Sequence, residues 1–201
     1  MERDAEGNIP AYSMFFRTLE IEKKSKNQPW PVRPLIDSIE RDYPLSIAIA
    51  GCSTGEEVFS YAMFCEDEEF VDFRVEGYEL YEKRLVEARK GRVRVPRKTD
   101  NITRNGLKSP MMKEMKKYWK LERGLGFDSV LFKPEINSRT RFFYYDLLTG
   151  PLPRKYDLIV CTNLRVHITE EDKKTLERNL VESVRSEKGK IVLDDEILLF
   201  S

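Results

Sequence analysis

The sequence predicts an α/β fold: a parallel sheet with helices on both faces. Three observations carry it. Apolar runs of strand length recur at Leu45–Ala50, Tyr156–Cys161 and Lys190–Leu193, helix-period segments stand between strand patterns, and a glycine turn joins the first strand to the first long helix. At 201 residues, 40% hydrophobic and 11% aromatic, the chain can bury a core and reads as one substantial domain rather than two. Its 35 Lys and Arg balance 35 Asp and Glu, so net charge makes no case for nucleic acid or an anionic membrane. A charged partner must be met by a local patch.

The elements follow in order. Residues 1–42 form a helical lead-in: a short helix over Met14–Lys26, a turn at Pro29, Pro31 and Pro34, and a helix around Leu35–Arg41. Leu45–Ala50 is a small-apolar strand, and after the turn Gly51-Cys52-Ser53-Thr54-Gly55 a helix runs from Glu56 to about Cys65, with Val58, Ala62 and Cys65 on one face. Phe73–Tyr78 is a second strand, Glu82–Lys90 a helix with Leu85 and Ala88 inward, and Gly91 its C-terminal stop. The rhythm then breaks over residues 92–138, an inserted subdomain with one helical stretch at Met111–Leu121. Strands at Arg141–Tyr145, Tyr156–Cys161 and Lys190–Leu193 complete the sheet. The helix Glu170–Arg185 places Leu176, Leu180 and Val184 on one stripe and starts on a Thr169/Asp172 cap.

No apolar run approaches the ~20 residues of a membrane span, and the polar segment Met1–Pro10 lacks the core of a secretion signal, so a cytoplasmic protein is expected. Cys52, Cys65 and Cys161 lie in or beside apolar segments without a Cys-x-x-Cys pair, which fits reduced thiols. With His167 the only histidine, no ligand group has the short spacing of a zinc site.

In such sheets ligands bind beyond the carboxyl ends of the strands, where strand order reverses. The first strand-end loop, Gly51 to Gly55, admits close approach to the backbone because glycine lacks Cβ and tolerates positive φ. Glu56 and Glu57 occupy the first turn of the helix that follows, where a phosphate binder leaves bare N–H groups. Two carboxylates there repel phosphate and suit a cation, or they simply complement the helix dipole while Ser53 and Thr54 cap the start. Glu79 ends the second strand, where nucleotide binders place an acid on the ribose hydroxyls. An acidic loop for a sulfonium amino acid together with a ribose acid is what S-adenosylmethionine requires.

Four stretches then resemble the C-terminal domain of CheR-type chemoreceptor methyltransferases: Ser13-Met14-Phe15-Phe16-Arg17; Gly51-Cys52-Ser53-Thr54-Gly55-Glu56-Glu57 running on to Met63; Glu79 with Leu85 to Gly91; and Tyr156 to Asn163. The resemblance implies a class I S-adenosylmethionine-dependent methyltransferase fold, a Rossmann-like sheet with a small β-containing inserted subdomain. It implies S-adenosylmethionine as cofactor and a protein glutamate as methyl acceptor. Arg17 matches an arginine near the methyl-transfer centre, and an arginine can hold an acceptor carboxylate through paired hydrogen bonds. Ser13 matches a polar cofactor contact, and Gly51, Cys52 and Ser53 fall in the cofactor loop. Glu56 or Glu57 is expected at the methionyl ammonium, Glu79 at the ribose, Asp146 and Leu147 at the adenine, and Asn163 on the family's asparagine after the fourth strand.

The departures bear on activity. Where the family reads Cys-Arg-Asn and then a tyrosine, this chain has Cys161-Thr162-Asn163 and His167. A histidine near the methyl group can act as a base near neutral pH, so His167 is a candidate catalytic residue beside Arg17. The same departures leave two alternatives to carboxylate methylation: a non-carboxylate acceptor, and a cofactor-binding regulatory module impaired in turnover. Only twelve residues precede Ser13, so the family's helical N-terminal domain is not expected, and the length leaves the last strands of the fold in question. The run Arg89–Lys98 carries six cations and no acid, a solvated face or a steering patch for an acidic, chemoreceptor-like protein substrate. No Asn/Asp-Pro-Pro-aromatic tetrapeptide follows the fourth strand, which argues against nucleic-acid bases as acceptor.

Overall fold

A computed structural model describes residues 36, 38–39, 43–96, 110–162, 164–186, 188–193 and 196–198. The residue 1–42 lead-in therefore lies almost wholly outside the described residues. Nine strands and five α-helices follow in chain order among those described: β1 (Leu45–Ala50), α1 (Glu56–Asp67), β2 (Phe73–Glu79), α2 (Glu82–Ala88), β3 (Arg92–Pro96), α3 (Pro110–Glu114), β4 (Trp119–Arg123), β5 (Phe127–Phe132), α4 (Pro134–Arg139), β6 (Thr140–Tyr144), β7 (Leu158–Cys161), α5 (Glu170–Ser183), β8 (Lys190–Leu193) and β9 (Glu196–Leu198).

The main sheet has the order β6-β2-β1-β7-β8-β9. Every pairing in it is parallel except β8 with β9. β1 is central because it is apolar on both faces. Leu45, Ile47 and Ile49 join the core beneath α1 and α2, while Ala48 and Ala50 join a second core beneath Leu176 and Leu180 of α5. Strand order reverses between β1 and β7: the chain leaves β1 towards β2 and β6, then returns to lay β7 on the other side.

The second sheet, β3-β5-β4, is antiparallel and covers the outer side of α1. Phe59 of α1 stacks on Phe132 of β5 at 3.8 Å between ring centroids, and Val93, Met112, Met115, Trp119 and Val130 enter the same core. This explains a departure from the expected one-faced helix: every residue from Glu56 to Cys65 is buried, because α1 lies between two sheets. The expected helix Met111–Leu121 is corrected. The helix ends at Glu114, a 3-10 turn covers Met115–Tyr118, and Trp119 begins β4. Pairing of β4 with β5, from Trp119↔Phe132 to Arg123↔Asp128, overrides the helical preference of Lys120, Leu121 and Glu122. The helix α4, opened by Pro134, and the short strand β9 went unseen in the sequence reading.

Buried carboxyl groups beside the second core are met by hydrogen-bond donors. Glu76, fully enclosed, accepts from the hydroxyls of Tyr78 and Tyr156 and from Arg154 at 3.1 Å. Burial, and secondarily the Glu76 charge, pushes the Tyr78 hydroxyl up to about 12, so it stays a donor throughout the physiological range. Asp157 accepts from the backbone N–H and hydroxyl of Ser46 at 2.8 and 2.7 Å, tying the start of β7 to β1. The expected cap of α5 forms: Thr169 Oγ1 accepts from the backbone N–H of Asp172 at 3.2 Å. Among the described residues no helix is long and apolar enough to cross a membrane.

Candidate functional site

The loop after β1 is held by the strand beside it. The backbone N–H groups of Gly51 and Cys52 both donate to the carbonyl of Tyr78 in β2, at 2.8 and 2.9 Å. Three residues take positive φ, Gly51 at 75°, Ser53 at 50° and Gly55 at 91°, so the chain coils tightly over the sheet end before entering α1. Gly77 makes room below: a Cβ there would lie 2.7 Å from the Cys52 sulfur and 2.8 Å from Val58.

Glu79 fixes this loop from outside it. Its Oε2 accepts from the backbone N–H of Ser53 at 2.9 Å and its Oε1 from that of Tyr81 at 3.0 Å, with Arg84 at 3.7 Å. Glu79 is only 4% exposed, and its carboxyl group stands in the loop where a phosphate binder leaves its backbone N–H groups bare. The loop N–H is thus already spent on a carboxylate.

Glu56 and Glu57 stand on the first turn of α1, both buried. The N-cap residue is Gly55, and no side chain caps it; Thr54 instead donates to the Glu56 carboxylate. The capping role weighed for Ser53 and Thr54 is therefore not the one they take. Burial pushes the Glu56 carboxyl up to about 6, with Glu57 adding to the effect and Thr54 and Arg84 opposing it. The Cys52 thiol is raised well above its ordinary range, first by burial and then by Glu79, Glu56 and Glu57, and stays protonated. A thiol so placed packs rather than reacts.

The other side of the site is the loop after β7. Thr162 Oγ1 donates to the Glu57 carboxylate at 3.0 Å, and Leu164 lies against Gly51, 3.6 Å from where a Cβ would project. The two loops therefore meet where strand order reverses. Asp146 and Leu147 follow β6, beside the end of β2, where Tyr145 N–H donates to the Glu79 carbonyl at 3.0 Å. Asp146 Oδ1 closes a turn by accepting from Leu148 N–H at 2.9 Å, while Leu147 packs into the second core.

The structure thus brings Gly51, Cys52, Ser53, Glu56, Glu57 and Glu79 together at one sheet end, with Asp146 and Leu147 at its flank. His167 is exposed, in a 3-10 turn over Arg165–His167. Ser13, Arg17 and Asn163 lie outside the described residues. Sequence reasoning missed Tyr81, Arg84 and Leu164, and took Thr162 only as a departure from the resembled motif. The spacing Glu79-x-Tyr81 is that of a side chain bonding the N–H two residues on, and could have flagged Tyr81. Nothing local announces Thr162, 105 residues from Glu57.

The raised Glu56 carboxyl has a consequence for stability. It binds a proton in the fold before the unfolded chain does, so ionised Glu56 opposes folding fully above about pH 6 and less as pH falls towards 4.5. Its shift corresponds to about 2 kcal/mol. Glu56→Gln is expected to raise the melting temperature of the ligand-free protein near neutral pH by roughly 5 °C, and by less near pH 5. Thermal melts at the two pH values check this, and an unchanged melting temperature near neutral pH contradicts it.

Residues 13–196 match the family described as CheR methyltransferase, SAM binding domain. A chemotaxis protein methyltransferase of Listeria monocytogenes is 28% identical over 145 residues, covering 70% of this chain and 49% of its own. The chain thus spans about half the length of that relative. Among solved structures, the glycopeptide N-methyltransferase MtfA is 12% identical over 79% of this chain and 49% of its own, with a TM-score of 0.45. A TehB-like SAM-dependent methyltransferase from Corynebacterium glutamicum is 14% identical over 79% and 58%, with a TM-score of 0.42.

The donor set fits S-adenosylmethionine: a strand-end loop whose Ser53 N–H is already taken by the Glu79 carboxylate, and buried carboxylates beside it, one with its carboxyl pushed up by burial. With its family match spanning most of its length, this chain belongs to the CheR methyltransferase family as an S-adenosylmethionine-binding domain.

Proposed function

We propose that the protein transfers a methyl group from S-adenosylmethionine to a glutamate carboxylate of an acidic, chemoreceptor-like protein. The observation that carries the reading is the set of three buried carboxylates, Glu56, Glu57 and Glu79, gathered around the β1 loop. Glu79, at the end of β2, presents its remaining lone pairs to the ribose hydroxyls while its backbone partners hold it still. Glu57, on the side of β7, meets the ammonium of the methionyl end, and Glu56 adds negative field between them. Gly51 lets the cofactor approach the backbone, and Asp146 and Leu147 border the adenine.

Bound S-adenosylmethionine supplies an electrophilic methyl on a sulfonium. An acceptor carboxylate is already ionised at neutral pH, so the new C–O bond forms as the S–CH3 bond breaks and no residue needs to take a proton. The protein's task is alignment and exclusion of water. Arg17 is assigned to the acceptor carboxylate, Ser13 and Asn163 to the cofactor, and His167 to the acceptor side. Support for the acceptor class comes from the name of the Listeria monocytogenes relative and from the resemblance in motif.

Labelled methyl transfer from S-adenosylmethionine to acidic receptor fragments tests the reading. Base-labile label is expected, because esters hydrolyse, and Arg17→Ala should abolish most of it. Base-stable label overturns the carboxylate acceptor. Cofactor binding without transfer to any protein favours the regulatory reading that Thr162 and His167 raise.

A further inference from the structure

We infer that Thr162 is a positioning residue for the cofactor's amino-acid end, acting through Glu57; this rests on the reading above that Glu57 meets the ammonium. The hydroxyl of Thr162 lies 3.0 Å from a Glu57 carboxylate oxygen and bridges the end of β7 to the first turn of α1. It spans the reversal of strand order, the place where the two loops must keep their spacing for a ligand to lie across both. Glu57 is 7% exposed, so its carboxylate has little water to orient it, and a hydrogen bond from a fixed strand end selects one rotamer. Leu164, two residues on, packs against Gly51 and holds the same two loops together by apolar contact.

The choice of threonine matters electrostatically. A hydroxyl donates one hydrogen bond and brings no charge of its own to the Glu57 carboxylate. An arginine at this position, as in the motif this chain resembles, would bring a guanidinium to the same carboxylate and compete with a cationic ligand for it. Thr162 is therefore placed to set direction without neutralising the acid it directs.

The test compares two neutral probes on the full chain by calorimetry. S-adenosylhomocysteine carries the ammonium and carboxylate, and methylthioadenosine keeps the nucleoside but lacks them. Thr162→Val should weaken S-adenosylhomocysteine about tenfold, equivalent to ~1.4 kcal/mol, and leave methylthioadenosine unchanged. Thr162→Ser, which keeps the hydroxyl, should restore binding. In a Glu57→Gln background, Thr162→Val should add little further loss. Equal weakening of both probes, no weakening of either, or full additivity with Glu57→Gln overturns the inference. Failure of the unaltered protein to bind either probe instead overturns the cofactor reading on which it rests.

Discussion

Glu79→Gln is expected to weaken S-adenosylmethionine binding by roughly 100-fold, on the order of 3 kcal/mol. The carboxylate does two things at once. Each oxygen accepts a backbone N–H, from Ser53 at 2.9 Å and from Tyr81 at 3.0 Å, and the outer lone pairs are the ones proposed for the ribose diol. An amide has one acceptor oxygen, so its NH2 must face one of those N–H groups, donor against donor. One part-buried donor is then unsatisfied, the loop that carries Ser53 at φ 50° loses its anchor, and the proposed ribose contact loses an acceptor oxygen. Glu79→Asp should fail as well, although aspartate is the commoner acid at this place in the resembled family, because one methylene less cannot reach both N–H groups from the end of β2. Calorimetric titration of the two variants, with melting temperatures to show that they fold, checks the expectation. Affinity within threefold of the unaltered protein would contradict it.

Gly55→Ala is expected to destabilise the protein by about 3 kcal/mol and to lower its melting temperature by roughly 10 °C. Two costs add. Gly55 sits at φ 91°, where an L side chain is strained, and a Cβ there would lie 2.8 Å from the Phe142 ring and 3.1 Å from Ala88. Phe142 cannot retreat cheaply, because it packs on Phe59, which is itself stacked on Phe132 of the second sheet. A push at the loop is therefore passed through α1 into the covering sheet. A melting temperature within 2 °C of the original would show that the ring gives way more readily than this packing implies. Gly126 offers the contrast: it also has positive φ, but no atom lies within 4 Å of its Cβ position, so alanine there meets the backbone cost alone.

What the residues announced and what they did not follow from the range of the forces involved. β1 was legible to the residue because a strand buried on both faces must be a continuous apolar run, and Leu45–Ala50 is one. α5 was legible from its Leu176/Leu180 stripe and from the Thr169 cap, both local devices. β4 was not, because four of its five residues are exposed and Lys120, Leu121 and Glu122 favour a helix; only pairing with β5 makes it a strand. The all-round burial of α1 was hidden for the same reason, since the sheet that covers it forms from residues distant in sequence.

The site divides along similar lines. Gly51, Gly55, Glu56, Glu57 and Glu79 could be picked out because a strand-turn-helix unit and the next strand end fix their places within one short stretch of chain. The left-handed conformation of Ser53 could not, since serine carries no preference for it, and it comes with a hydrogen bond to Glu79, a residue 26 positions away. Thr162 stood out only as a departure from the resembled motif. Its partnership with Glu57 exists because β7 lies beside β1, a fact of topology rather than of spacing.

The central claim is that buried carboxylates at the β1 loop bind the cationic end of S-adenosylmethionine. Titration of the cofactor into the full chain at about pH 7 and again at about pH 5 tests it most directly. Glu56 must lose its proton to contribute, and its carboxyl sits at about 6, so one site with roughly tenfold weaker binding at the lower pH is expected. Binding of equal strength at both pH values, or no binding at either, would contradict the account.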